Sequence, residues 1–190
     1  DHGRITDPGK YVKALAAHVE DEGGDVVTGD VGGFVRDGDD LTGVRIGGET
    51  LACDTAVLAT GAWSGPLARE LGLKVPLESE RGYHLELWEP SVMPAAPVMI
   101  ASGKFVAPPM EERLRLAARE TERTGPRPAP ADAIPVIGAV PGLKGAYTAF
   151  GHHHIGLTSG PKTGRLLAQM ITGRQPNLDV GVYSPARFAS

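Results

Sequence analysis

Glycine and proline stand between the apolar runs along the whole chain, 26 and 16 of 190 residues. Gly reaches positive φ freely, and Pro fixes φ at about −65° and carries no amide hydrogen, so both mark turns. The chain therefore reads as short strands and helices in a loop-rich fold. The remaining composition, 41% hydrophobic and 22% charged, is that of a globular protein and excludes collagen-like, mucin-like and mostly disordered chains. A net charge of −4 offers no electrostatic footprint for nucleic acid. No apolar run approaches the roughly 20 residues of a membrane helix, so no membrane span is expected. A single Cys forms no intrachain disulfide and points to a reducing compartment. Asp1-His2-Gly3-Arg4 is neither a signal peptide nor an initiator Met, so the expectation is a piece of a longer chain.

Asp7-Pro8 opens a helix, with Asp7 as N-cap and Pro8 where no amide donor is needed. Tyr11, Leu15 and Val19 follow as a helical apolar stripe, and Gly23-Gly24 ends it. Short strands are expected at Val26-Val27, at Gly33 to Arg36, at Leu41 to Ile46 after the Asp37-Gly38-Asp39-Asp40 turn, and at Glu49 to Ala52. Thr55-Ala56-Val57-Leu58-Ala59 is apolar without alternation, the pattern of a parallel strand buried on both faces. Ser64 is expected to cap a short helix through Leu71, closed by Gly72. Further strands are expected at Glu80 to Leu87, Val98 to Ile100, Phe105-Val106 and around Leu114-Arg115-Leu116. From Glu111 to Arg127, five Arg and four Glu read as a solvated face or loop. Arg127 to Gly138 is a Pro-punctuated extended segment, Ala146 to Phe150 a strand, and Gly151 to Gly156 a turn. Ser159 to Ile171 is the last helix, with Leu166, Leu167, Met170 and Ile171 on one side.

Several motifs have a plainer explanation than chemistry. His152 and His154 face one way on an extended backbone, but no Cys is near and the nearest carboxylate, Asp132, is twenty residues upstream, so no metal is expected. Gly61-Ala62-Trp63-Ser64-Gly65 places Ser one position too late for a nucleophile elbow. Counting Asp37 as the first residue, a calcium loop needs Glu at the twelfth, and Gly48 stands there. Cys53 has no activating neighbour at a local signature spacing. No side chain is identified as a catalytic acid, base or nucleophile.

Two segments rise above these. Val57 to Gly61 runs a buried strand into small residues, which lets a ligand approach the backbone. Gly151-His152-His153-His154-Ile155-Gly156-Leu157-Thr158 feeds a helix and presents amide hydrogens to an electron-rich group. Ala59-Thr60-Gly61-Ala62-Trp63-Ser64, Arg81-Gly82-Tyr83-His84, Arg127-Pro128-Ala129-Pro130-Ala131-Asp132-Ala133-Ile134-Pro135-Val136-Ile137-Gly138 and Gly151 to Thr158, in that order, resemble the FAD-dependent D-amino-acid oxidase superfamily. Within it the pattern resembles the bacterial D-amino-acid dehydrogenases, with glycine and sarcosine oxidases as relatives. The opening Arg4 to Tyr11 also resembles the family's strand-to-helix entry. The Gly-x-Gly-x-x-Gly fingerprint of the family's Rossmann unit is absent, and a few dozen residues usual before Gly125 are missing.

The resemblance implies an α+β or α/β fold. Part of an FAD-binding Rossmann-like domain is joined to a mixed-sheet substrate domain. Residues 1–52 (helix and β-meander) and 53–75 (strand and helix) belong to the FAD-binding part, 76–124 to the substrate domain, and 125–190 return to the FAD-binding part. It further implies FAD, a D-amino acid or related amine as substrate, and quinone or oxygen as acceptor, with hydride transfer from the substrate's α-carbon. A homo-oligomer and a cytoplasmic setting, at most peripheral to the inner membrane, belong to the same expectation. Ala59, Thr60, Gly61, Trp63, Gly138, Gly151, His152, His153, His154, Ile155, Gly156, Leu157 and Thr158 are the implied cofactor residues. Amides of Ile155 to Thr158 face the charge that develops on the reduced ring, and Trp63 packs behind it. Arg127, Tyr83, His84 and His154 are the implied substrate residues. Alone, Arg127 reads as a surface Arg in a charge-dense stretch; within the motif its fork pairs a substrate carboxylate. Packing explains Tyr83 and His84 equally well. The competing expectation is a cofactor-free α+β fragment or interaction domain without activity of its own.

Overall fold

The computed structural model describes residues 5–118 and 123–189, with the side chains of residues 79–83, 118 and 123–127 outside the description. The chain divides into two compact units, Asp1–Thr28 with Arg81–Pro126, and Gly29–Glu80 with Arg127–Ser190. The expected segment 1–52 is thus parted after Thr28. Lys10 pairs with Glu111 at 2.5 Å, and the Glu111 amide donates to the Thr6 carbonyl at 3.3 Å, which ties the opening residues to the first unit.

In the first unit, α1 spans Pro8–Asp21. The Asp7 carboxylate accepts the Lys10 amide at 3.0 Å, satisfying one of the donors a helix start leaves free. The apolar stripe is present, yet no α1 residue is buried; Leu15 and Val19 face solvent. Val26-Val27 forms no strand, because no neighbouring strand takes its backbone among the described residues.

The second unit opens with an antiparallel meander of β1 (Val31–Asp37), β2 (Asp40–Ile46) and β3 (Glu49–Ala52). Then come β4 (Ala56–Leu58), a 3-10 turn over Gly61–Trp63 and α2 (Ser64–Glu70). Ser64 lies within α2 instead of capping it; its buried hydroxyl meets that of Thr60 at 3.1 Å.

Strands β5 (Leu77–Trp88), β6 (Val98–Ile100), β7 (Phe105–Ala107), β8 (Pro109–Met110), β9 (Arg113–Ala118) and β10 (Arg123–Pro130) follow. They form one sheet in the order β10-β5-β9-β7-β6, with β8 on β9. Much of the charge-dense segment is therefore strand. The register sets Glu86 opposite Arg115 and Trp88 opposite Arg113. One oxygen of Glu86, whose side chain is 9% exposed, accepts a hydrogen bond from Arg115 at 2.6 Å and forms an ion pair with Arg113 Nε at 3.2 Å. Arg115, then Arg113, hold the Glu86 carboxyl below its ordinary range. The Arg113 guanidinium lies 5.0 Å from the Trp88 ring centre.

The chain ends with β11 (Val136–Ala139), β12 (Ala146–Phe150), α3 (Gly156–Ile171) and two 3-10 turns, Gly181–Tyr183 and Pro185–Phe188. β12 is central in the order β11-β12-β4, antiparallel to β11 and parallel to β4. Leu58, Leu73, Val136, Ala146 and Phe150 form the core beneath it. The parallel pairing agrees with expectation, but Val57 is 40% exposed. Only one face of β4 is covered, since the other borders an open cavity. α3 starts three residues earlier than the periodicity predicts, and its Ile171 is exposed while Leu166 and Leu167 are buried. No helix among the described residues is long and apolar enough to cross a membrane.

Phe150→Ala is expected to cost about 3–5 kcal/mol, because the core closes around the ring. Leu85→Ala, at a side chain already 41% exposed, is expected to cost about 1 kcal/mol. Urea denaturation of the two variants beside the parent checks the contrast.

Candidate functional site

Phe150 ends β12 in the core, and the chain must leave the sheet at the next residue. Gly151 does so at φ +86°. A Cβ there would lie 2.6 Å from Pro130 Cγ, so this conformation and this close approach both require Gly. The His153 amide then donates to the Pro128 carbonyl at 3.1 Å, and the Ile155 amide to the His152 carbonyl at 3.0 Å. These bonds seat the turn on the Pro-rich segment before α3 begins.

At the start of α3, the Thr158 and Ser159 amides donate back to the Ile155 carbonyl at 3.0 and 2.9 Å. The amides of Gly156 and Leu157 meet no acceptor among the described residues. The His152 ring nitrogen Nε2 lies 3.0 Å from the Thr163 hydroxyl. Burial holds His152 below its ordinary value, favouring the neutral ring. Nε2 of His153 is buried without a hydrogen-bond partner among the described residues. His154 is exposed.

Two open cavities flank this region of the second unit. One of about 830 Å³ is lined by Gly29, Asp30, Val31, Gly32, Ala59, Thr60, Gly61, Trp63, Pro66, Leu67 and Glu70. Glu70 braces its wall by accepting the Phe34 amide at 3.3 Å and Arg45 at 3.1 Å. The other, of about 540 Å³, lies along α3 and is lined by Val57, Ala59, Ala149, His152, Gly156, Gly160, Thr163, Gly164, Leu167, Ala168 and Ile171.

Of the residues expected to meet a cofactor, Ala59 lines both cavities, Thr60, Gly61 and Trp63 the first, and His152 and Gly156 the second. Trp63 is 69% exposed and borders the first cavity. Ile155 and Thr158 have spent their amides within the turn, so Gly156 and Leu157 are the available donors. The Leu157 and Ile155 side chains are exposed. Gly138 lines neither cavity: it is buried, and a Cβ on it would stand 3.3 Å from Pro185. Among the substrate candidates, His84 lies in the first unit on the strand face of Glu86, 3.8 Å from its carboxylate. Arg127 and Tyr83 have their backbones in β10 and β5; their side chains lie outside the described residues. The motif residue Arg4 lies outside them as well.

Sequence reasoning missed the cavity residues Gly29, Asp30, Gly32 and Glu70, which carry no local signature. It also missed Gly160 and Gly164. Their spacing of four from Gly156 was a usable signal, since residues four apart share a helix face.

A strand ending in small residues, a Gly turn and a helix start whose first amides meet no acceptor among the described residues lie together in the second unit. A family model described as FAD dependent oxidoreductase (DAO) matches residues 1–125 and 116–170, and the chain belongs to that family. It is similar to a D-amino-acid oxidase of Bradyrhizobium diazoefficiens, 33% identical over 98% of this chain and 53% of the oxidase. A glycine oxidase of Pseudomonas aeruginosa is 30% identical over 83% of this chain and 52% of that protein. The solved glycine oxidase from Geobacillus kaustophilus superposes with a TM-score of 0.82 at 21% identity, over 94% of this chain and 57% of that one. The iminodiacetate oxidase from Chelativorans sp. BNC1 gives 0.82 at 20% identity, over 92% and 57%. These establish the D-amino-acid oxidase type of fold, mixed α and β. The chain spans about half the length of the curated relatives it matches.

The residues present suit FAD. Two amides at a helix start, without acceptors among the described residues, offer polar contacts to an electron-rich ring, and Ala59, Gly61 and Gly156 line the cavities with little or no side chain.

The buried His152 gives a pH dependence with a definite sign. The unfolded chain protonates this ring near the ordinary value of 6.5, the folded chain at lower pH. Between those two values the unfolded state binds more protons, so stability falls as pH drops through 6.5 and is unaffected above it. His152→Gln, which can still bond Thr163, is expected to flatten that slope. Urea midpoints measured from about pH 8 down to about pH 5, in steps of about one unit, check it.

Proposed function

We propose that this chain forms the flavin-facing part of an FAD-dependent oxidoreductase that oxidises the CH–NH bond of a D-amino acid or related amine. Membership of the FAD-dependent family supports the cofactor. The names of the relatives, D-amino-acid oxidase and glycine oxidase, support the substrate class. The observation that carries the reading is the pair of amides on Gly156 and Leu157, at the start of α3, that meet no acceptor among the described residues.

When bound, FAD supplies the two-electron acceptor for a hydride leaving the substrate's α-carbon. The chain's own part is position and electrostatics. The Gly156 and Leu157 amides donate to the electron-rich edge of the ring, aided by the helix dipole of α3. Gly156 keeps that approach open, and Thr158 adds a hydroxyl. Thr60 and Gly61 present backbone and a small side chain to the cofactor, and Trp63 borders it. Arg127 pairs the substrate carboxylate through its guanidinium fork, which fixes the orientation of the α-carbon. Tyr83, His84 and His154 contribute to the substrate surface. Oxygen or a quinone takes the electrons on, and a cytoplasmic setting accords with the single free Cys53.

Titration with FAD is expected to quench flavin fluorescence and to give a bound spectrum with a band at about 450 nm, a property of the cofactor itself. Gly156→Val, whose branched side chain closes on His152, is expected to weaken FAD binding by about tenfold or more. Arg127→Ala is expected to raise KM for D-amino acids by about tenfold or more while flavin binding stays unchanged. Absence of any flavin signal would favour the cofactor-free alternative, and an unchanged KM in Arg127→Ala would remove Arg127 from the substrate site.

A further inference from the structure

We propose that Arg187 is a positioning residue for the Gly151–Gly156 turn, acting through the Asp132–Pro135 segment on which that turn is seated. Its functional consequence rests on the flavin-facing reading of the turn; the mechanical claim stands on geometry alone.

An Arg side chain carries five N–H donors in a fixed planar fork. Arg187 directs them to five acceptors. Nε donates to Asp132 Oδ2 at 2.7 Å. Nη1 donates to the carbonyls of Tyr183 at 2.8 Å and Ser184 at 3.0 Å. Nη2 donates to the carbonyls of Ile134 at 2.6 Å and Pro135 at 3.2 Å. The guanidinium also lies 4.5 Å from the Phe188 ring centre. Lys could pair with Asp132 but could not reach four carbonyls at once.

The end of the chain that carries Arg187 is itself fixed. Pro185 is fully buried, and the Lys74 amide donates to the Phe188 carbonyl at 2.9 Å. The segment it grips has few other restraints. The second Asp132 oxygen accepts the Ile134 amide at 3.1 Å. The Ala133 amide donates to Pro130 at 2.9 Å, and the Ala131 amide to Pro76 at 3.0 Å. From there the linkage to the turn is direct. Gly151 has no room for a Cβ beside Pro130, and Pro135 Cα would stand 3.7 Å from one. The His153 amide is held by the Pro128 carbonyl. Where the Pro-rich segment sits thus sets where the turn, and the free amides after it, sit.

Peptide-resolved hydrogen exchange on the parent chain, Arg187→Lys and Asp132→Asn tests this, with urea stability and FAD titration alongside. Arg187→Lys is expected to speed exchange in 131–135 and 151–156 by on the order of tenfold, because several charge-assisted bonds are lost there. Amides of β12 and of the second half of α3 should keep the parent's rates. Asp132→Asn should give the same pattern more weakly, and it carries the test if Arg187→Lys does not fold. Unchanged exchange in 151–156, or a uniform rise across β12, β4 and α3, overturns the proposal. A selective rise with no FAD binding by the parent supports the positioning role and removes the flavin reading. A selective rise with weakened FAD binding supports both.

Discussion

Strand β12 is bonded on both sides, antiparallel to β11 and parallel to β4, and the candidate site hangs on that double pairing. A strand held along both edges cannot slide or rotate, because a one-residue slip would turn its inward side chains outward. Ala146, Thr148 and Phe150 are its buried residues. Phe150 lies at the last position of the strand, so the chain leaves the sheet from a fixed point. The Gly151 turn, the seat on Pro128 and Pro130, and the start of α3 all inherit their location from it.

The second unit also shows how a site is made from backbone. Its polar contribution comes chiefly from amide hydrogens whose partners the turn leaves out. Side chains such as His152, bonded to Thr163, are occupied with holding the helix to its own entry. Helix amides are oriented by the fold and need no rotamer to be frozen when a ligand arrives.

Much of this was readable from local chemistry. The Asp7 cap, the acidic hairpin turn, the parallel β4 and the Gly-led turn before α3 all follow from residues adjacent in sequence. Failures came where distant partners decide. The Val26-Val27 pair has strand composition, but a strand exists only when another takes its hydrogen bonds. The Glu111–Arg127 charges read as solvated until the register brings Glu86, some thirty residues earlier, between Arg113 and Arg115. Ser64 has the chemistry of a cap, yet Thr60 claims its hydroxyl inside the turn. Arg187 gave no signal because its Asp132 partner lies 55 residues away. The implied cofactor residues were legible only as a family pattern; Gly138, one of them, sits against Pro185.

The chain passes between its units at Thr28, Glu80 and Pro126, and the last two crossings fall in β5 and β10, which are neighbours in one sheet. Residues 81–126 therefore depart and return through adjacent strands, as an inserted cassette does. Such a segment can be exchanged in evolution, lengthened or trimmed, while the strands at its base remain paired. A lineage can thereby revise what lies in the cassette and leave the second unit as it was.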